Sequence, residues 1–342
     1  MADVVIVVGT KRGNEAVPAI EIKQMVGRAG RKHGGDVCVA HVIVEDDRAE
    51  DVSSSIEQGT NMEVMSPFGT TDGLYFHLMP EIAAGRITDV GTAESWFSRS
   101  LAASQGVKVK FQKVFDKMEL EGAITQVHGM VRPTKIGIIA ADLYFHPGDV
   151  QAWHNNFTRL FEMGLENDNA AIAWALGTRT HTKCQGDFGN HRFVIGEYKS
   201  DLPMGLDLES GTVIQVVLWW CSMGGASAGK LRNQMLELRD DIGRIKRALV
   251  RIDKEFAKWD RGDFFDEMEI MVRKGISVEL VSLCKLPGIT KGRADFLYNS
   301  GAKDAESIEG ILGNIDDDLD DPFRAALKGI VDGIRRKSRG SL

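Results

Sequence analysis

An apolar stripe between Lys230 and Trp259 constrains the fold more than any other stretch of the chain. Its large apolar residues recur every three or four positions, and this spacing places them along one face of an α-helix. The stripe consists of Leu231, Met235, Leu238, Ile242, Ile245, Leu249, Ile252 and Phe256. A helix that is apolar along one side is stabilised mainly by packing that side against other elements. The stripe therefore predicts a long helix within a helical bundle. We predict that the bundle comprises residues 150–274.

The other side of this predicted helix is basic. Its cations are Arg232, Arg239, Arg244, Lys246, Arg247 and Arg251. One interpretation is an ordinary solvated face, because Glu237, Asp240 and Asp241 are interleaved with the cations. The other interpretation is a surface that contacts the sugar-phosphate backbone of a nucleic acid.

Two β-branched runs near the start of the chain predict a small α/β fragment. Val4–Val8 is a continuous apolar run and Val37–Val44 is apolar except for His41, as in parallel strands buried on both faces. Thr10–Ala19 is polar and predicts a loop or a short hairpin. A helix between the runs is predicted to end near Lys32–Gly35, where two glycines stand. The fragment, about residues 1–60, is too short for a complete α/β lobe.

This short helix contains the string Gln24-Met25-Val26-Gly27-Arg28-Ala29-Gly30-Arg31. If the whole string is helical, the spacing of Arg28 and Arg31 places both guanidinium groups on one face. Such a pair suits phosphate oxygens and could stabilise the charge that develops during phosphoryl transfer. The simpler interpretation is a solvated basic helix end.

Residues 61–149 predict a winged helix, which consists of three helices followed by a β-hairpin. The predicted helices are Leu74–Ala84, Thr92–Ala103 and Lys108–Met118, and the predicted strands are Gln126–Val131 and Lys135–Ala141.

Residues 275–310 predict a helix-hairpin-helix around the phrase Leu286-Pro287-Gly288-Ile289. Such a hairpin can present backbone N–H groups to a phosphate, and the nearby candidates are Gly288, Thr290, Lys291 and Arg293. Packing without nucleic acid is the alternative. Residues 311–342 predict an acidic helical tail with a basic tip.

These segments together resemble the C-terminal half of a superfamily 2 helicase. Gln24–Arg31 resembles the sixth motif of the Ski-type branch, which includes the archaeal fork-repair DNA helicases. Pro133-Thr134-Lys135 followed by Leu143-Tyr144 resembles the end of that family's winged helix. The resemblance implies that the chain is multidomain and mainly α, with a partial RecA-like lobe, a winged helix, a helical ratchet bundle and a helix-hairpin-helix.

The resemblance also implies roles for individual residues. Gln24, Gly27, Arg28 and Arg31 would face the nucleotide, with Gln24 and the two arginines acting in catalysis. Arg232, Arg244, Arg247 and Arg251 would lie on the ratchet helix beside the DNA backbone. The family's stacking tryptophan falls at Asp240 or Asp241 here, so stacking of a base on this helix is not expected.

A motor is incomplete without a phosphate loop and an acidic metal-binding box, and neither motif is found. Gly224-Gly225-Ala226-Ser227-Ala228-Gly229-Lys230 fits the spacing of a phosphate loop, but Leu231 stands where the magnesium-binding Ser or Thr is needed. We therefore expect ATP and Mg²⁺ to bind only together with an N-terminal helicase half that supplies the phosphate loop and the DExH box. By itself the chain is expected to grip single-stranded or forked DNA without ATPase activity. The alternatives are a non-catalytic single-stranded DNA-binding module and half of an RNA helicase.

Composition adds little to this interpretation. A net charge of −7 does not indicate a nucleic-acid binder, although local basic patches still bind phosphate. The cysteines are far apart, which favours a reducing compartment, and no signal peptide or membrane span is evident, so a cytoplasmic or nucleoid-associated location without a membrane partner is expected. The cluster of His181, Cys184, Asp187 and His191 lacks the spacing of a structural zinc site, and no bound metal is expected.

Overall fold

The computed structural model describes residues 4–12, 15–29, 39–58, 66, 68, 71–181, 191–315 and 321–339. The described chain is mainly helical. It divides into two compact units, Met1–Ser66 and Pro67–Leu342. None of the described helices is both long and apolar enough to cross a membrane.

The first unit is built on two parallel strands. The described elements of this unit are β1 Val4–Val8, β2 Lys11–Arg12, β3 Glu15–Ala16, α1 Ala19–Val26, β4 Val39–Ile43 and α2 Ala49–Gln58. Strand β1 is paired with strand β4. Strands β2 and β3 form a short antiparallel hairpin, which confirms one of the two structures predicted for Thr10–Ala19.

The prediction that both strands are buried on two faces is wrong. Side chains alternate along a strand, so β1 and β4 have two distinct faces. One face is covered and contributes Val7 to a small core that also contains Ile22 and Val52. The other face is exposed in this unit and presents Val4, Ile6, Val8, Val39 and Ile43. We call these five residues the open apolar face.

Helix α1 is shorter than the sequence predicts. It ends at Val26, and the backbone N–H of Gly27 closes the last turn on the carbonyls of Lys23 and Met25. Gly27 weakens a helix because it has the largest backbone entropy to lose. Arg28 therefore lies after the helix, and the prediction that one helix face carries both arginines is wrong for Arg28. Arg31 lies outside the described residues.

The second unit opens with helices and a hairpin around their own core. Large buried side chains of this core include Tyr75, Leu78, Phe115 and Met118. The predicted second helix is divided into two by the turn at Ser98–Ser100. The elements are α3 Thr71–Ala83, α4 Val90–Phe97, α5 Leu101–Ser104, α6 Phe111–Leu120, β5 Ile124–Val127 and β6 Met130–Pro133.

The predicted strand Lys135–Ala141 is wrong, because these residues form helix α7, Lys135–Leu143. Thr134 begins this helix as an N-cap, and its Oγ1 accepts a hydrogen bond of 3.1 Å from the N–H of Gly137. Gly137 has no Cβ and lies directly against the carbonyl of Ala123. A β-branched side chain at this contact would clash, so the Gly and the cap outweigh the strand propensity of the neighbouring isoleucines.

A helical bundle follows and contains the larger of the two hydrophobic cores formed by the described residues of the second unit. Helix α11, Val213–Ser222, has every residue buried. Helix α9, Asn169–Gly177, is buried from Ala170 onward and approaches α11 closely, since Gly177 lies against the backbone of Val216. The helices are α8 Pro147–Glu162, α9 Asn169–Gly177, α10 Arg192–Asp201, α11 Val213–Ser222, α12 Arg232–Ile252 and α13 Gly262–Lys274.

Helix α12 confirms the apolar stripe of the sequence. Leu238, Ile242, Ile245, Leu249 and Ile252 are all buried in the core. The regular helix is shorter than predicted, because Asp253–Ala257 form a wider turn. The carboxylate of Asp253 accepts hydrogen bonds from the N–H groups of Asp260 and Arg261 and so fixes the chain direction after this turn.

Among the described residues, four further α-helices follow: α14 Val281–Cys284, α15 Lys291–Asn299, α16 Ala305–Ile315 and α17 Asp321–Arg339. Helices α14 and α15 and the turn between them lie in the segment predicted as a helix-hairpin-helix. Their buried residues, including Leu283, Ile289 and Leu297, belong to the core of the bundle.

Candidate nucleic-acid interface

The nucleotide-site candidates of the first unit lie at the C-terminal end of α1. Gln24, Gly27 and Arg28 are all exposed. Buried Ile22 anchors the opposite side of α1, so the exposed side can face another molecule. An exposed amide and guanidinium can bind phosphate oxygens, and Arg28 is suited to do so bidentately. The role of these residues at a nucleotide remains a prediction.

Arg244 of α12 is held by protein groups of the second unit. Its Nη1 donates hydrogen bonds to the carbonyl oxygens of Tyr144 at 3.1 Å and Leu143 at 3.4 Å, which end α7. Its Nη2 pairs with Asp241 at 3.0 Å, and the guanidinium lies 4.2 Å from the ring centroid of Phe145. Orphan carbonyls at a helix C-terminus favour a cation, so Arg244 connects α12 to α7.

Arg251 makes a second connection of the same kind. Its Nη1 lies 2.7 Å from Asp142 in α7, and its Nε lies 2.7 Å from Glu255. Partial burial works against the charged guanidinium, but the hydrogen bonds to Glu255 and Asp142 outweigh it and raise the pKa of Arg251. A guanidinium with both partners in place is less available to a phosphate.

Arg247 lies between these two arginines in sequence and differs from them in its exposure and its ion pairs. It is exposed, and it forms no ion pair with any residue that the structure describes. Residues three and four apart share one side of a helix, so Arg247 neighbours both Arg244 and Arg251. Arg232 at the start of α12 is likewise exposed without an ion pair inside the described ranges. Arg232 and Arg247 are therefore the predicted backbone-binding arginines that have their charge open to solvent.

The remaining cations of α12 hold its neighbour α13. Lys246 pairs with Asp266 and, at 2.9 Å, with Glu269, and these hydrogen bonds raise the pKa of Lys246. Arg239 donates to the carbonyl of Arg273. The basic side of the helix is thus divided between cations that join elements and cations that face solvent.

The turn between α14 and α15 is the segment that the sequence predicts to contact a phosphate. Gly288 has a φ of +74°, a conformation that side chains with a Cβ rarely adopt, so a glycine suits this turn. Thr290 is extended and makes no side-chain cap, so the first N–H groups of α15 have no intrahelical acceptor. Thr290, Lys291 and Gly292 are exposed.

The two cations of the hairpin brace the turn. Lys291 Nζ donates to the carbonyl of Gly275 at 2.6 Å, and Arg293 Nη1 donates to the carbonyl of Gly288 at 2.9 Å. The Arg293 guanidinium also lies 4.7 Å from the ring centroid of Phe323 in α17. The side chains of these two cations stiffen the hairpin, while the backbone N–H groups of Lys291 and Gly292 have no hydrogen bond recorded among the described residues.

Comparison with known proteins supports the helicase resemblance. No protein-family model matches the chain. The ATP-dependent DNA helicase Hel308 of Pyrococcus abyssi is 21% identical over 328 residues, which cover 86% of this chain and 44% of that protein. Hel308 of Pyrococcus horikoshii is 24% identical over 325 residues, covering 87% of this chain and 44% of that protein.

This chain is similar to the Hel308 DNA helicases. The resemblance inferred from the sixth motif and the helix-hairpin-helix is confirmed over most of the chain. The chain spans less than half the length of the Hel308 relatives it matches, which is consistent with a C-terminal half.

One cluster in this Hel308-like chain contains metal-ligand types. Glu121, His146 and His181 bring potential ligand atoms within 4.8 Å of one another. The two imidazole rings, however, stack with centroids 3.8 Å apart and planes 24° apart. The ring-nitrogen lone pairs lie in the ring planes, so stacked rings direct them side by side and not toward a common ion. His181 instead interacts with Asp149, 3.2 Å from its Nδ1. Cys184 and Asp187, two members of the cluster whose spacing does not fit a structural zinc site, lie outside the described residues.

No sequence pattern indicated which groups hold the arginines. Asp142 and the carbonyls of Leu143 and Tyr144 lie about a hundred positions before α12. The one local signal is that α7 ends there, and a helix end leaves carbonyls that favour a cation.

Proposed function

We propose that this chain is the C-terminal half of a Hel308-like DNA helicase. In this proposal it grips single-stranded DNA and completes the ATP site of a motor half that carries the phosphate loop and the DExH box. The observation that carries the proposal is similarity to two Hel308 proteins over 86% and 87% of this chain but 44% of each relative. Whether the motor half belongs to the same polypeptide or to another one does not alter the proposed division of labour.

The open apolar face supports a partner for the first unit. Two strands present five aliphatic side chains to solvent, and an exposed face of this kind favours association with other apolar surface. The rest of a RecA-like lobe would cover this face and extend the sheet. Gln24, Gly27, Arg28 and Arg31 would then stand beside the nucleotide, where the arginines would stabilise charge on the transferring phosphoryl group. ATP and Mg²⁺ would be bound jointly with the motor half.

The second unit would supply the DNA grip. We assign α3–α6 with the β5–β6 hairpin as a winged helix and the bundle around α12 as the ratchet domain. Arg232 and Arg247 would contact backbone phosphates, and the open N–H groups at the start of α15 would bind another phosphate without reading sequence. Arg244 and Arg251 would keep the winged helix and the ratchet helix in a fixed arrangement.

The proposal is tested by reconstitution. The chain alone should bind a labelled single-stranded oligonucleotide and show no DNA-stimulated ATPase. Addition of an N-terminal Hel308 half should produce ATPase activity, and Arg28→Ala or Arg31→Ala should abolish that activity while DNA affinity stays the same. Lys23→Ala in α1 is the matched control and should retain activity.

Robust ATPase activity of this chain alone would contradict the division of labour. Full activity of both arginine variants in the reconstituted complex would favour the non-catalytic DNA-binding module. Equal or tighter binding of an RNA strand of the same sequence would favour the RNA helicase half.

A further inference from the structure

His41 lies in the middle of the open apolar face of the first unit. The parallel register of β1 and β4 brings three pairs of residues side by side: Val4 with Val39, Ile6 with His41, and Val8 with Ile43. All six side chains are exposed, and alternation along each strand places them on the same, uncovered side of the sheet. An imidazole therefore stands in the central row of a patch that is otherwise aliphatic.

No charged group accompanies His41 on this face within the described residues. Apart from His41, strands β1 and β4 contain only Val, Ile and Ala. Helices α1 and α2 pack on the opposite side, where their Ile22 and Val52 share the small core with Val7. The charged residues of these two helices are Glu21, Lys23, Glu50, Asp51 and Glu57. Three further charged residues, Lys11, Glu45 and Arg48, follow the carboxyl ends of the strands.

The dimensions of the face fit the side of one α-helix. Neighbouring strands lie about 4.8 Å apart, and successive outward side chains are about 6.6 Å apart along a strand, so three rows span about 13 Å. A helix with its side chains is about 10 to 12 Å across. One helix that lies along the two strands therefore covers all six side chains. Helices cover both faces of parallel sheets in this way in α/β domains.

The motor half of the proposed function is the partner that we assign to this face. The matched segments make up 44% of each Hel308 relative, so most of each relative lies outside the match. Two strands by themselves form a marginally stable sheet, and the first unit gains stability from further packing. An apolar helix side from the motor half supplies that packing, because the face presents five aliphatic side chains and no ion pair.

Covering the face takes His41 out of water. Burial among aliphatic side chains disfavours a charged imidazolium, so an enclosed histidine is neutral. A neutral imidazole still has one N–H donor, and a buried donor without an acceptor is costly. The covering helix therefore needs one neutral hydrogen-bond acceptor opposite His41, such as a hydroxyl or an amide oxygen. A carboxylate at this place would itself have to be desolvated.

We propose that the open apolar face docks an apolar helix side of the motor half, and that His41 makes this docking depend on pH and on one acceptor in the partner. Docking is strong above the pH range in which histidine ordinarily titrates and weakens as pH falls through that range, because a charged imidazole must lose its proton before it is covered. The inference rests on the proposed function for the identity of the partner. It adds the residue that sets the specificity and the pH range of the contact.

The test measures the dissociation constant between the full chain and the N-terminal half of Pyrococcus abyssi Hel308 at pH 7.5 and pH 5.5. Neutralising one histidine of reference pKa, about 6.5, is about tenfold less favourable at pH 5.5 than at pH 7.5. The wild-type dissociation constant should therefore rise by up to about tenfold. His41→Leu keeps the face aliphatic and should show no such rise. His41→Gln is a second variant, polar but never charged, and should give the same flat profile.

His128→Asn is the matched control. His128 is also exposed, but it lies between β5 and β6 in the second unit, with a φ of +53°. Asn adopts this conformation more readily than most residues, so the variant removes a titratable group without straining the turn. It should keep the full pH dependence of the wild type. Circular dichroism at both pH values checks that each variant is folded.

The outcomes separate this inference from the proposed function. A chain that does not associate with the motor half at pH 7.5 refutes the joint motor. Association that is equal at both pH values, or that weakens equally in the wild type and in His41→Leu, leaves the joint motor in place and refutes the role of His41.

Two other results would overturn parts of the assignment. Tighter association at pH 5.5 that His41→Leu abolishes would mean that a carboxylate faces His41, contrary to its neutral enclosure. Dimers of the chain alone in sedimentation, absent from the Ile6→Thr variant, would assign the face to a second copy of this chain.

Discussion

Replacing Arg247 by Ala separates DNA contact from the internal support of α12. Arg247 is exposed and makes no ion pair within the described part of the chain, whereas Arg251, one turn later, is bound to Asp142 and Glu255. We expect Arg247→Ala to weaken DNA binding and to leave folding unchanged. Arg251→Ala should do the reverse, and it is the matched comparison on the same helix.

The expected size of the DNA effect follows from counterion release. Each lost phosphate contact reduces the slope of log K against log salt by about 0.7 for a single strand. Extrapolated from 1 M salt, this corresponds to roughly fivefold weaker binding near 0.1 M salt, and the difference disappears as salt rises. Loss of the Arg251 pairs should lower the free energy of unfolding by about 1 kcal/mol, since the side chain is only partly exposed.

Fluorescence anisotropy across a salt series measures the slope, and thermal unfolding measures the stability. Arg247→Ala should have the shallower slope and a wild-type melting temperature. Arg251→Ala should keep the wild-type slope and melt a few degrees lower. An Arg247→Ala variant with an unchanged slope, or an Arg251→Ala variant with a reduced slope and no loss of stability, would show that the two arginines have been assigned the wrong roles.

Other variants test packing, titration and association. Gly177→Val should destabilise the bundle by about 1 to 3 kcal/mol in thermal unfolding, because even a Cβ would lie 2.9 Å from the Cα of Val216. Burial lowers the pKa of His154, so its stabilising effect is present above the ordinary histidine pKa and is lost as pH falls below it; His154→Phe should flatten the drop in melting temperature between about pH 7 and pH 5. Burial raises the pKa of the Cys221 thiol to about 11, so peptide mapping after iodoacetamide treatment at neutral pH should find it modified only in unfolded protein. Ile6→Thr on the open apolar face should weaken association with a motor half in a pull-down and leave DNA binding unchanged.

Local patterns predicted the elements whose causes are local. The stripe of α12 was predictable because burial of one face imposes a helical period on the sequence. The turn between α14 and α15 was predictable because Gly288 needs positive φ, and the phrase around it contains a proline followed by that glycine. In α7 the same reasoning was wrong, because the isoleucines favoured a strand while Thr134 and Gly137 fixed a helix.

The burial of the strands and the partners of the arginines depend on non-local contacts, which local sequence patterns do not reveal. The two strands of the first unit were predicted, but their burial depends on what else packs on the sheet, and a continuous apolar run cannot tell one covered face from two. The distinction between Arg247 and Arg251 also lay beyond a local pattern. Asp142, which holds Arg251, is 109 positions away. Both arginines look alike in a helical projection.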